Sequence, residues 1–115
     1  MSTYDVLTDL RASASQAVGT ENGASKDVGP GGDKPIRAVC LVTANAGTIT
    51  LKLQQSADGS TWYDVPGSNF LDPADGAVMD GTGKFEVFVK ITQRYVRTVS
   101  VVATGAVTWE CFLTK

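Results

Sequence analysis

Asp58, Trp62 and Tyr63 fall close together in "SADGSTWYD", and a carboxylate beside two aromatic rings is the composition of a sugar-binding site. A ring such as Trp62 can stack on a sugar. The same residues also specify a turn. Gly59 tolerates positive φ and Asp58 can bond backbone N–H groups further along, so the stretch reads as a β-hairpin between a strand ending near Gln55 and a strand over "TWYDV". The turn alone accounts for these residue types, with ligand stacking on Trp62 as the alternative.

Other groups carry weaker chemical promise. Asp72, Asp75 and Asp80 lie in the loop "FLDPADGAVMDGTG", whose oxygens suit calcium, but the spacing misses the D-x-D-x-D-G pattern of an EF-hand and no metal is expected. Glu86 and Glu110 are each the outward member of an alternating strand, and nothing fixes the separation that a glycosidase pair needs. Cys40 and Cys111 sit inside apolar runs, where free cysteines act as small buried hydrophobes; a disulfide between them stays open as an alternative. Two thiols with no histidine are too few for zinc. With no activated nucleophile and no cofactor fingerprint, the chain is expected not to be an enzyme and to need no cofactor. "TQRYVR" places Arg94, Tyr95 and Arg97 at the start of a strand, residue types enriched in protein interfaces. The competing reading makes Arg94 a solvated turn residue and pairs Arg97 with a carboxylate.

These residues need a scaffold, and 115 residues are enough for one domain with one core. Lys and Arg total 10 against 12 Asp and Glu, a net charge of −2, so no positive excess draws a phosphate backbone and nucleic acid is not an expected partner. The charged share of 19% is low against the roughly 25% of an average domain, which fits a surface of Ser, Thr, Ala and Gly that docks. No apolar run is long enough to span a bilayer, and the N-terminal stretch has acidic residues where a signal peptide has basic ones. The protein is expected to stay where it is made, away from membranes.

Residues 1–35 are sparse in apolar side chains and end in "VGPGGDKP". This segment cannot form a core and reads as an extended N-terminal arm, adding a strand to the body or to a neighbour, or else as a frayed terminus. Residues 36–115 read as a β-sandwich domain. "TITLKLQQ" sets Ile49, Leu51 and Leu53 on one face, "KFEVFVKIT" sets Phe85, Val87, Val89 and Ile91 inward, and "AVTWECFLT" does the same with Val107, Trp109, Cys111 and Leu113. "IRAVCLVTA" and "RYVRTVSVVAT" are apolar on both faces in part and suit central strands. Many short strands punctuated by Gly turns predict an all-β antiparallel sandwich, with the last three strands as a meander.

The hairpin resembles the "S-x-D-G-x-x-W" element of discoidin-like carbohydrate-binding sandwiches, and more loosely the Asp-box of sialidase propellers, which has one more residue between Asp and Gly. Taken together, "SADGSTWYDV", "RYVRTVSVVATG" and "AVTWECFL" resemble the small capsid decoration (cement) proteins of tailed bacteriophages. The likeness covers residues 36–115, and the arm by type. It implies a jelly-roll sandwich that binds the outer capsid surface and bridges major capsid protein subunits, assembled as a dimer or trimer. Such a protein is made in the host bacterial cytoplasm and resides on the virion. On this reading Tyr4, Val6, Leu7, Leu10 and Arg11 are arm contacts, and Arg94, Tyr95 and Arg97 are body contacts. Tail and baseplate sandwiches share the same short elements and give one alternative; a carbohydrate-binding module using Asp58, Trp62 and Tyr63 is the other.

Overall fold

The computed structural model describes residues 6–29, 32, 34–70, 79 and 81–114, the side chains of residues 6–8 excepted. Their regular structure is all strand: β1 (Val6–Gln16), β2 (Gly19–Asn22), β3 (Lys26–Asp27), β4 (Lys34–Asn45), β5 (Thr48–Ser56), β6 (Tyr63–Asp64), β7 (Gly83–Ile91), β8 (Tyr95–Ala103) and β9 (Val107–Thr114). Two antiparallel sheets pack face to face as a β-sandwich. The first has the order β1-β9-β4-β7 and the second β2-β8-β5-β6, with β3 also pairing along β8.

The alternation read from the sequence decides which side chains meet between the sheets. Ile49, Leu51 and Leu53 of β5 are fully buried, as are Val107, Trp109, Cys111 and Leu113 of β9. Each large aliphatic or aromatic side chain so buried contributes about 1.5–3 kcal/mol. The two runs that are apolar on both faces are indeed internal, β4 lying between β9 and β7, and β8 between β2 and β5. Val96 and Val102 face inward from β8, opposite Ala38, Cys40 and Val42 of β4 in the shared core.

The expected meander is corrected by the topology. β7 and β9 both flank β4 in the first sheet, whereas β8 lies in the second. The links are fastened at the corners of the sandwich instead of turning within a sheet. Gln55 Oε1 accepts the Thr92 N–H at 2.8 Å, tying the β7–β8 link to β5. The Ala46 N–H donates to the Ala106 carbonyl at 3.0 Å, which lays the β4–β5 and β8–β9 links against each other. Gly105 permits this approach, because a Cβ there would stand 2.6 Å from the Ala46 carbonyl oxygen.

The described parts of the stretch after β6 serve the core. The N–H groups of Val65 and Phe70 donate to the carbonyls of Leu53 and Leu51, and the Ile49 N–H donates to the Met79 carbonyl, so successive pieces of chain line the outer edge of β5. Phe70 and Met79 are 1% and 0% exposed and close that end of the core. The described part of the segment expected as an arm is likewise built into the body: β1 joins the first sheet against β9, while β2 and β3 join the second against β8.

Candidate functional site

The hairpin forms where the sequence places it, with Gln54 opposite Asp64 and Gln55 opposite Tyr63. Its turn is held by short-range side-chain bonds. Asp58 Oδ1 accepts from the N–H groups of Ser60 at 2.9 Å and Thr61 at 3.1 Å, and from the Ser56 hydroxyl at 3.0 Å. Ser56 Oγ in turn accepts from the N–H of Gly59 at 2.8 Å, and Gly59 takes the positive φ of 80° that the turn requires. The Ser60 and Thr61 N–H groups, followed by the Ser56 hydroxyl, hold the Asp58 carboxyl below the usual aspartate range. Asp58 is thus committed to the turn.

The second strand of this hairpin carries the first surprise. Arg97 of β8 lays its guanidinium over the Trp62 ring, 4.4 Å from the ring centre, while Nε and a terminal nitrogen donate to Gln54 Oε1 at 3.1 and 2.8 Å. Gln54 Nε2 donates to Asp64 Oδ1 at 3.0 Å, and Lys52 Nζ to Asp64 Oδ2 at 3.1 Å. Residues that the sequence offers as two separate candidates, the aromatic hairpin and the "RYVR" strand, therefore form one row across the outer face of the second sheet. The row is Trp62, Arg97, Gln54, Asp64 and Lys52, and the bonds from Gln54 and Lys52 keep the Asp64 carboxyl below its ordinary range. Since Arg97 covers a face of Trp62, that face is closed to a stacking sugar. Tyr63 is 65% exposed beside the row.

Arg94 and Tyr95 lie at the end of the same sheet. Arg94 places Nε and a terminal nitrogen on Asp27 Oδ2, at 3.0 and 2.9 Å, and stands 5.7 Å from the Tyr95 ring centre. The guanidinium hydrogen bond, with the Gly29 N–H behind it, lowers the Asp27 carboxyl, and the same contact raises Arg94. A two-pronged pair of this kind orients the side chain although each partner is half in solvent.

The expected arm contacts behave differently. Tyr4 lies outside the described residues; Val6 and Leu7 are in β1, but their side chains also lie outside them. Leu10 and Arg11 need correction as contacts with another molecule. Leu10 is 2% exposed, packed in the core because β1 turns this side chain between the sheets. Arg11 is 10% exposed, its guanidinium stacked 4.2 Å over Trp109, bonded to Glu21 at 2.7 Å and to the carbonyls of Trp109 and Ala14 at 2.6 and 2.8 Å. Sequence reading missed its neighbour Gln16, which is 5% exposed. Gln16 Oε1 accepts from the Trp109 indole N–H at 3.0 Å and the Ser100 hydroxyl at 2.8 Å, joining β1, β9 and β8 across the sandwich. The available signal was Trp109 itself, since an inward-facing indole needs an acceptor.

Of the remaining candidates, Glu86 and Glu110 lie on β7 and β9 with β4 between them, and Glu86 pairs with Arg37 at 3.5 Å. Cys40 and Cys111 are cross-strand partners, both free and fully buried. Burial pushes the Cys40 thiol up to about 12 and the Cys111 thiol well above its ordinary value, so neither is a thiolate nucleophile at neutral pH. Asp72, Asp75 and Asp80 lie outside the described residues. Compared with known families and with curated proteins, the chain matches no family model and no curated sequence.

Proposed function

We propose that this chain is a structural protein of a bacteriophage virion, of the decoration or cement type, which binds the outer capsid surface and bridges major capsid protein subunits without catalysing a reaction. The resemblance of its hairpin and last strands to that family suggests the role. Strand order supports the finer fold that the family implies. A sheet β1-β9-β4-β7 facing a sheet β2-β8-β5-β6, with the chain changing sheets between β1 and β2, β3 and β4, β4 and β5, β6 and β7, β7 and β8, and β8 and β9, favours the jelly-roll reading.

The observation that carries the reading is the bonded row on the outer face of the second sheet. Arg97, Gln54, Asp64 and Lys52 are fixed by one another and by Trp62 before any partner arrives. Side chains already ordered lose less entropy on docking, and a row on a sheet face suits a broad protein surface more than a small ligand. Arg94 and Tyr95 extend it toward Asp27. Many copies per shell convert modest contacts into firm attachment.

Charge reversal on that face tests the assignment. The double variant Arg94→Glu, Arg97→Glu is expected to stay folded, since the exposed Arg94–Asp27 pair contributes only about 0–1 kcal/mol and Arg97 lies on the outer face away from the core, and to lose most of its co-sedimentation with expanded phage heads. Unchanged co-sedimentation would remove this face from the contact. Retention by tails instead of heads would transfer the protein to the tail or baseplate.

A further inference from the structure

We propose that the outer edge of β7 pairs with β7 of a second copy of this chain, joining two first sheets into one antiparallel sheet across a twofold axis. This does not rest on the capsid reading, which concerns the opposite face of the sandwich. The two ends of the first sheet are unlike. β1 meets β9 with register shifts at three places, the irregularity that blunts an edge against further pairing. β7 pairs with β4 in unbroken register from Lys34↔Ile91 to Val42↔Gly83, and among the described residues no strand pairs with its other side. It holds no proline and no bulge. In the second sheet the edge strand β6 has 2 residues and β2 has 4, against 9 in β7.

The outward side chains of β7 are Lys84, Glu86, Phe88 and Lys90, and Phe88 at 77% is more exposed than Val18, Tyr63 or Val101. An apolar depression beside it is lined by Pro35, Ile36, Arg37, Phe88, Val89 and Lys90. Antiparallel pairing of β7 with itself is restricted by the pleat, since a shift of one residue sets core-facing side chains opposite outward ones. Three symmetric registers keep most of the strand paired, centred on Glu86, Val87 or Phe88. Centring on Glu86 opposes that carboxylate to itself, and centring on Val87 opposes Lys84 to Lys90. Centring on Phe88 sets Phe88 against Phe88, with Glu86 of each copy opposite Lys90 of the other. On the inner face the same register opposes Val87 to Val89 and Phe85 to Ile91, extending the apolar layer. Aromatic pairs and opposite charges directly across a ladder are the stabilising combinations, and like charges the destabilising ones. The sequence of this edge is therefore complementary to itself in one register.

Sedimentation equilibrium of the full chain tests the proposal, with circular dichroism melts as the control for folding. The wild type is expected to dimerise below about 0.1 mM, and Phe88→Lys to be monomeric over that range. Glu86→Lys and Lys90→Glu are each expected to raise the dimer dissociation constant about tenfold, by turning attraction into repulsion at two symmetry-related places, and the double exchange is expected to restore it. Phe88→Cys is expected to form an intermolecular disulfide on mild oxidation, while Val101→Cys, exposed on the other sheet, is not. A wild type that stays monomeric at about 0.1 mM would overturn the proposal. So would a dimer that survives Phe88→Lys, or charge variants that fail to compensate each other.

Discussion

At the scale of single residues, Gln16 does the most with the least exposure. Its one side-chain oxygen takes the Trp109 indole N–H and the Ser100 hydroxyl, so its removal strands the buried indole donor and leaves the hydroxyl only the longer contact to the Glu21 carbonyl at 3.4 Å. Gln16→Ala is expected to lower stability by about 1–3 kcal/mol in urea unfolding; a loss below about 0.5 kcal/mol would show that the bridge contributes nothing. Asp58 was legible in the sequence, because its partners Ser56, Ser60 and Thr61 are its neighbours along the chain and a turn is a local object. Gln16 and Arg11 were not, because the partners that draw them into the body, Ser100 and Trp109, lie 84 to 98 residues away. Without the topology, Arg11 reads as an exposed cation on an arm. The structure makes it a buried strut over Trp109 instead. The Arg97–Trp62 stack was hidden for the same reason, each partner being recognisable and their meeting depending on β8 lying beside β5.

At the scale of elements, β5, β7 and β9 could be read directly, since burial on one face forces a period of two. β4 and β8 could be read as central, since each is apolar on both faces in part. The irregular N-terminal segment concealed β1, in which Leu10 alternates with small and polar residues too weakly to announce a strand. Links between strands were less legible than the strands. Thr104-Gly105-Ala106 suits a hairpin as well as a corner by composition, and only the β4–β5 link packed against it decides. Gly105→Ala is expected to cost at least about 2 kcal/mol, since its Cβ would press on the Ala46 backbone and neither link has a flexible side chain to yield. Thermal unfolding measures this. A Gly105→Ala variant as stable as the wild type would mean that the two links separate easily, and that the corners do not fix the sheet-to-sheet crossing.

At the scale of the whole molecule, three carboxylates link stability to pH in one direction. Asp27, Asp58 and Asp64 are all held below the usual aspartate range in the folded protein, by Arg94, by the Ser60 and Thr61 N–H groups, and by Gln54, respectively. A depressed folded value means that the unfolded chain takes up protons first as pH falls. The stabilisation is therefore complete above the ordinary aspartate value and is lost as pH drops through the folded values, below about pH 4. The melting temperature is expected to be level from pH 7 to 5 and to fall toward pH 3, with a shallower fall for Asp58→Asn; an equal fall in the variant would remove the turn carboxylate from the linkage. The two faces of the sandwich carry different offers to other molecules. In the proposals made above, the bonded row from Trp62 to Lys52 on the second sheet is the capsid contact, and the β7 edge of the first sheet is the contact with a second copy. The most direct test of the central claim is co-sedimentation of the purified protein with expanded, undecorated phage heads, with unexpanded proheads alongside. Saturable binding to the expanded heads alone is the expected result, and no binding to either would contradict a role on the capsid surface.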